Sequence, residues 1–373
     1  MWIKNGWVFQ ENRTFIKGDI ATQQDKISDT SDDGRIIDAE HLYVIPGLTD
    51  IHFHGCMGYD FCDGTKEALD AITKYQLSRG ITTICPASMT YDENHLTEIF
   101  KTASGYNNTK GSDIVGIHME GPFISREKKG AQNPDYIQNP DMEMFARLQS
   151  AAGGMIKLCD IAPELPGAMS FICKLSGDVA ISLAHTAADY DTAMRAFSAG
   201  ASHVTHLYNA MPPFLHRSPG VIGAASDAAD AYVELIGDGI HVSPATLRAT
   251  LKMMGEDRVV LISDSLRSAG MPDGEYELSG QRVYKKGNRT TLADGTLAGS
   301  SVDLMEVLRS VVQEMQIPLE TAVTCAAVNS AKSIGIYDTY GSLEKGKQAN
   351  VVLLDKDLNI KYIIKDGVIT HSF

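Results

Sequence analysis

Ile114-Val115-Gly116-Ile117-His118-Met119-Glu120-Gly121-Pro122-Phe123 is a run of strand formers that ends in a carboxylate and is broken off by Gly-Pro. Strand side chains repeat every two residues, so His118 and Glu120 face the same side, with Glu120 at the carboxyl end of a buried strand. A carboxylate there is solvated, salt-bridged or bound to a metal ion. Histidines at equivalent places elsewhere in the chain decide among the three.

Seven further runs read as strands, at 48–52, 81–86, 155–161, 179–185, 203–206, 232–238 and 258–264, to set beside 114–120. Helical patterns lie between most of them. Those at 66–79, 93–104, 189–199 and 244–254 stop at Gly80, Gly105, Gly200 and Gly255, the residue type expected just past a helix end. Eight strands alternating with helices predict an α/β fold, a TIM-like (β/α)₈ barrel whose active site lies at the carboxyl ends of its strands. Residues 1–47 and the end of the chain differ, being β-type with no helical period. Asn5-Gly6 and Asp33-Gly34 read there as hairpin-type turns. The economical arrangement is a small β-sandwich domain built from 1–47 plus 341–373, with the catalytic barrel, 48–340, inserted between the two pieces.

The strand ends carry the chemistry. The first ends in Asp50-Ile51-His52-Phe53-His54-Gly55, whose two histidines face the same way and can hold one ion. The third gives Glu120, the fifth His185, the sixth His206 and the eighth Asp264. A lone histidine at a strand end is more often a satisfied core or rim residue. Six such residues at five ends of one barrel are not independent accidents. Imidazole and carboxylate suit a divalent transition metal (zinc, iron, manganese or cobalt). One or two ions per chain fit the number of ligands. A metal lowers the pKa of bound water to about 7 and polarises a carbonyl. Asp264 beside it can take a proton from water and return it to a departing amine. Taken alone, Asp264 could equally be a helix N-cap.

Composition bounds the partners. The chain has 373 residues, 43% hydrophobic and 21% charged, with a net charge of −14. That charge argues against nucleic acid and against anionic membrane surfaces. It leaves room for a small anionic ligand in a local cationic pocket. The six cysteines (Cys56, Cys62, Cys85, Cys159, Cys173 and Cys325) show no metal or disulfide framework and read as reduced thiols of a cytoplasmic protein. The opening residues do not form a signal peptide, and no apolar run is long enough to span a bilayer.

The first-strand motif after a short β segment is similar to the amidohydrolase superfamily. Further blocks are His118-Met119-Glu120-Gly121-Pro122-Phe123, Thr205-His206-Leu207-Tyr208-Asn209-Ala210-Met211-Pro212, Asp238-Gly239-Ile240-His241-Val242 and Leu297-Ala298-Gly299-Ser300. Together they resemble the N-acetylglucosamine-6-phosphate deacetylase family, over nearly the whole chain. The resemblance implies a hydrolase of a linear amide C–N bond acting on a phosphorylated amino sugar. It makes Glu120, His185 and His206 the principal metal ligands, Asp264 the catalytic acid–base, and His52 and His54 a second-metal pair found in some members. Asn209 and Ala210 match contacts to the sugar phosphate, and His241 a contact to the sugar. Ala131 and the Leu297-Ala298-Gly299 turn match further substrate contacts. Arg217 matches a phosphate-binding arginine that reaches the neighbouring subunit's site, so a homodimer with shared sites is expected. Gln132 stands where some relatives have a histidine near the acetyl carbonyl. Ser265-Leu266-Arg267 follows the catalytic Asp where small residues are common.

Other classes share parts of this pattern. A dihydroorotase-like site needs a carboxylated Lys at the end of strand four, but Lys157 lies near its start. Adenosine-deaminase-like sites lack the Glu at strand three. A scaffold on the same fold would have lost ligands. The same reaction on N-acetylgalactosamine-6-phosphate stays open beside the gluco epimer.

Overall fold

The computed structural model describes residues 1–31, 33–108 and 110–373. Barrel strand one is Leu48–Asp50, and strand two is Ile81–Ile84 continued by Ala87–Ser88. Strand three is Asp113–Ile114 continued by Ile117–Met119. Ile156–Ile161, Ala180–Leu183, His203–Val204, Tyr232–Ile236 and Val259–Ile262 complete the set. All neighbours along this series pair in parallel. Strands eight and one meet through one side-chain and one backbone bond: Ser263 Oγ donates to Asp50 Oδ2 at 2.6 Å and the Asp264 N–H to the His52 carbonyl at 2.9 Å.

The helices form where the pattern put them. Glu93–Ser104 is capped by the Asp92 side chain and buries Leu96, Ile99, Phe100 and Ala103, the i, i+3, i+4, i+7 stripe. Pro244–Met254 starts with Ser243 as cap and Pro in its first turn. Phe171 packs edge-on against Phe123 and Phe145 with ring centroids 5.2 and 5.6 Å away, seating the outer helices on the barrel.

Strands from both termini form one mixed sheet of eight strands. Its two ends meet: Lys26 bridges Gln348, and a Cβ at Gly367 would collide with the Gln24 carbonyl. Ile3, Ile20, Ile27, Val44, Val351 and Ile364 share one apolar cluster inside it.

Three local readings are corrected. Asn5-Gly6 is not a hairpin turn; it lies inside the strand Trp2–Phe9, where Asn5 at φ 64 makes a bulge against Phe15–Gln23. Gly6 is needed there because a Cβ would meet Val44. Asp33-Gly34 is no hairpin either. It joins Lys26–Ser28 to Ile36–Asp38, which do not pair, and Asp33 binds the N-terminal ammonium at 2.9 Å. Leu297-Ala298-Gly299 is not a turn but most of the strand Leu297–Ser300. That strand closes a four-stranded antiparallel insertion with Gly274–Leu278, Gln281–Lys286 and Arg289–Leu292, which the sequence pattern left unassigned.

Candidate active site

Glu120, His185 and His206 converge at the carboxyl end of the barrel. Glu120 Oε1 lies 3.0 Å from His185 Nε2 and 3.2 Å from His206 Nε2, and the two nitrogens are 3.2 Å apart. Three ligands at about 2.0 Å on a tetrahedral ion are about 3.3 Å from one another, so this triangle has the edges that a small divalent ion requires. His185 Nδ1 donates to the Lys128 carbonyl at 2.8 Å, so Nε2 is the nitrogen that faces the triangle and that would offer its lone pair to an ion.

His52 and His54 stand on the other side of Glu120. His54 Nδ1 is 3.2 Å from the Ala87 carbonyl, while its Nε2 is 3.4 Å from Glu120 Oε2 and 3.3 Å from Asp264 Oδ1. His52 Nε2 lies 3.7 Å from both Glu120 Oε1 and Asp264 Oδ1, fully buried and without a hydrogen-bond partner among the described residues. An unpartnered nitrogen facing two carboxylates suits a second cation. Glu120 stands between the two groups, with Oε1 toward His185, His206 and His52 and Oε2 toward His54.

The charges agree. Burial alone would raise the Glu120 pKa, but hydrogen bonds from His185 and His206 and the charges on His54 and His185 hold it well below the carboxylate range. Asp264 is likewise lowered: burial opposes ionisation, and the His54 hydrogen bond with the charges on His52, His54 and His206 outweighs it. Burial disfavours charge on His54 and His206 too, yet the surrounding carboxylates raise both to about 9. The carboxylates thus draw positive charge onto the rings, in the space where an ion would supply it.

A cavity of about 420 Å³ opens over this cluster. His54, Glu120, His185, His206 and Asp264 lie at it, with Ala131, Gln132, Asn209, Ala210, His241, Leu297, Ala298 and Gly299 in its wall. His241 is fixed by Nδ1 to Asp238 Oδ2 at 2.7 Å. The antiparallel insertion brings Leu297–Ser300 to the wall, and Gln281 Nε2 donates to the Ala131 carbonyl at 2.6 Å, tying it to the loop after strand three. Arg217 is not in this wall. It is exposed on its own loop, with Nη1 2.6 Å from His216 Nε2.

Both departures from the family pattern have a structural use. Gln132 donates from Nε2 to Glu120 Oε2 at 2.6 Å and accepts the Thr90 N–H on Oε1 at 2.8 Å, so its amide orients the carboxylate. Arg267 points to Asp63 at 2.9 Å and Glu277 at 3.3 Å, clamping the loop after strand one to the insertion, while Leu266 lines the cavity.

Sequence reasoning missed the layer beneath. Glu234, fully buried in strand seven, contacts His52 Nδ1 at 2.8 Å and His203 Nε2 at 3.2 Å. Burial opposes its ionisation, but the His52 charge and the His203 and His52 hydrogen bonds keep it well below the usual range. Asp160 in strand four accepts from His118 Nε2 at 2.9 Å and Thr205 Oγ1 at 2.7 Å. The one signal in the sequence was an acidic residue inside an apolar strand run, Val233-Glu234-Leu235-Ile236.

A barrel with this cluster of imidazoles and carboxylates at its strand ends defines a hydrolase of the amidohydrolase kind, and residues 43–370 match the amidohydrolase family. The chain belongs to that family and, within it, to the N-acetylglucosamine-6-phosphate deacetylase family. It is 35% identical to the N-acetylglucosamine-6-phosphate deacetylase of Bacillus subtilis (strain 168), over 98% of this chain and 96% of that one. It is 32% identical to the N-acetylgalactosamine-6-phosphate deacetylase of Escherichia coli O157:H7, over 88% of each chain. Its fold matches a variant of the N-acetyl-D-glucosamine-6-phosphate deacetylase from Mycobacterium smegmatis solved in complex with N-acetyl-D-glucosamine-6-phosphate. The TM-score is 0.91 at 28% identity, covering 100% of this chain and 99% of that one.

Proposed function

We propose that the protein hydrolyses the acetamide of N-acetylglucosamine-6-phosphate, giving glucosamine-6-phosphate and acetate. The observation that carries this reading is Asp264 facing the Glu120–His185–His206 triangle across one cavity, in a chain 35% identical to a deacetylase of that name. One or two divalent ions (zinc, iron, manganese or cobalt) are the cofactor. Glu120, His185 and His206 would hold the first, and His52 and His54 with Glu120 would hold a second. When bound, the metal supplies Lewis acidity, lowering the pKa of water and polarising the amide carbonyl. Asp264, kept ionised by its surroundings, takes a proton from the attacking water as the new C–O bond forms. It returns that proton to the sugar nitrogen as the C–N bond breaks, so the amine leaves neutral and acetic acid stays behind, which gives its remaining proton to solvent to become acetate. Asn209 and Ala210 contact the sugar phosphate and His241 the sugar, with Ala131, Gln132, Leu297, Ala298 and Gly299 closing the wall around it.

Arg217 serves the site of a second copy in a homodimer. It is exposed and outside its own cavity, and Phe214 and Leu215 beside it are half-exposed apolar residues suited to burial against a partner. The barrel domain is taken as 48–340 and the β domain as 1–47 with 341–373. The location is cytoplasmic, where the six free thiols stay reduced. Among the described residues, no helix is long and apolar enough to cross a membrane. The galacto epimer is the second reading, favoured by the likeness to a deacetylase named for it. The deciding experiment is acetate release from both 6-phosphosugars and from unphosphorylated N-acetylglucosamine. Release from neither phosphosugar by metal-loaded protein refutes the assignment.

A further inference from the structure

Glu234 is a buried carboxylate beneath the site that touches a candidate ligand of each ion, His52 for the second and His206 for the first. It sits in the apolar strand Tyr232–Ile236, outside the cavity wall, so it cannot be a substrate contact. Its Oε2 accepts from His52 Nδ1 at 2.8 Å and from the His206 backbone N–H at 3.1 Å. Its Oε1 accepts from His203 Nε2 at 3.2 Å.

The first contact has a consequence for His52. A neutral imidazole has one N–H and one lone pair. With Glu234 accepting at Nδ1, the proton is pinned there, and the lone pair falls on Nε2. The other tautomer would set a nitrogen lone pair against a carboxylate lone pair. Nε2 is the atom without a partner, 3.7 Å from Glu120 Oε1 and from Asp264 Oδ1. The His206 arm matters too, because His206 sits at φ 30, a conformation that residues with a Cβ seldom adopt. Holding its N–H fixes the turn that aims the ring. The His203 arm reaches no candidate ligand: His203 Nδ1 has no partner among the described residues.

We infer that Glu234 is the positioning residue for the second ion: it selects the His52 tautomer that can bind metal, and the occupancy of the His52–His54 position depends on it. This rests on the two-ion reading above. Partners of this kind change metal affinity by about 10- to 100-fold. Glu234→Gln keeps size and an acceptor but loses the charge, and belongs at the low end of that range. Glu234→Met keeps volume without any acceptor, and belongs at the high end.

The test is zinc binding by the full-length protein after chelator treatment. A competing zinc chromophore reads the affinity of each step, and elemental analysis reads the count after gel filtration. The expected result is two ions in the parent. In the variants the second step is weakened about 10-fold for Gln and about 100-fold for Met, more than the first. His203→Phe, which cuts only the arm remote from the ions, should bind like the parent. Should Glu234→Met not fold, Glu234→Gln decides alone. A second step unchanged in Glu234→Gln, weakening shared equally by both steps, or an equal loss in His203→Phe each overturns the proposal while leaving the two-ion reading intact. A parent that never takes more than one ion overturns both.

Discussion

Replacing Arg217 by Ala should damage phosphosugar turnover through the partner's site and not through its own. The chain carries −14, and the substrate phosphate is dianionic, so long-range attraction cannot draw it in. Among the described residues, Lys128 is the single Lys or Arg side chain of the cavity wall, set against Glu120, Glu127 and Asp264. A further cation must come from outside, and Arg217 stands exposed, with His216 Nε2 against its guanidinium. A charge-assisted contact to phosphate is worth about 2–3 kcal/mol. Its loss should therefore raise KM about 30- to 150-fold for the 6-phosphosugar. Residual turnover of the unphosphorylated sugar should barely change. The decisive assay mixes Arg217→Ala with Asp264→Asn chains. In the mixed dimer one site carries both lesions and the other neither. Random exchange then leaves about a quarter of all sites intact, half the dimers with one good site each. At substrate far below the raised KM, acetate release should climb on mixing, well above the sum of the two preparations kept apart. If verified heterodimers show no such gain, Arg217 serves its own chain and the shared-site reasoning fails.

Asp264→Asn should lower turnover by about 10²- to 10⁴-fold with KM little changed, since the amide keeps the shape but cannot carry the proton; near-normal turnover would hand the role to another group. Elemental analysis should find one to two transition-metal ions per chain, fewer after His52→Asn with His54→Asn, and Glu120→Gln should be inactive; a fully active metal-free protein would end the metal reading. Gly299→Ala puts a Cβ 2.8 Å from the Asp264 carbonyl and 2.9 Å from Leu266, at φ +59. It should cost about 2–4 kcal/mol in denaturant unfolding and depress turnover with it, because the loop that must yield carries Asp264; unchanged kinetics would show that the loop yields freely. Arg79→Ala takes from the fully buried Asp303 the cation that Arg79 Nε brings to 2.5 Å, leaving it Tyr75 Oη and the Glu306 N–H of the helix Leu304–Arg309 that it caps. With the Arg side chain 31% exposed, the loss should be about 2–3 kcal/mol of stability without effect on metal count.

The strand ends were legible because two periodicities meet there. Buried parallel strands read as apolar runs, and the last residue of each is the first that can afford to be polar. That is why Glu120, His185, His206 and Asp264 stood out, each just beyond a run such as Ala180–Leu183 or Val259–Ile262. The insertion at 274–300 was legible in principle, since Ser279-Gly280, Gly287-Asn288 and Asp294-Gly295 are hairpin signals. Its strands, however, alternate polar residues on an exposed face and carry little apolar pattern. Asn5-Gly6 misled because a positive φ at Asn5 serves a bulge as well as a turn. Glu234 and Asp160 could not be assigned from local pattern, because their partners lie between 31 and 182 residues away and only the closed barrel brings them together.

The backbone at the site shows why that hidden layer is needed. His185, His206 and Asp264 sit at φ 42, 30 and 48, and none is glycine. A left-handed conformation costs a residue with a Cβ roughly 1–2 kcal/mol. The chain accepts it at three strand ends, where a sharp turn swings the side chain inward over the barrel axis. Strain of this kind persists only if the surroundings over-determine the geometry. The Glu234 carboxylate on the His206 N–H, the Ser125 N–H on the His185 carbonyl at 2.8 Å and the Asp264 N–H on the His52 carbonyl at 2.9 Å are the holding contacts. The residues that face the cavity are therefore arranged by polar contacts with parts of the chain outside their own strands, and substitutions at Glu234 should be felt at the metal before they are felt in the fold.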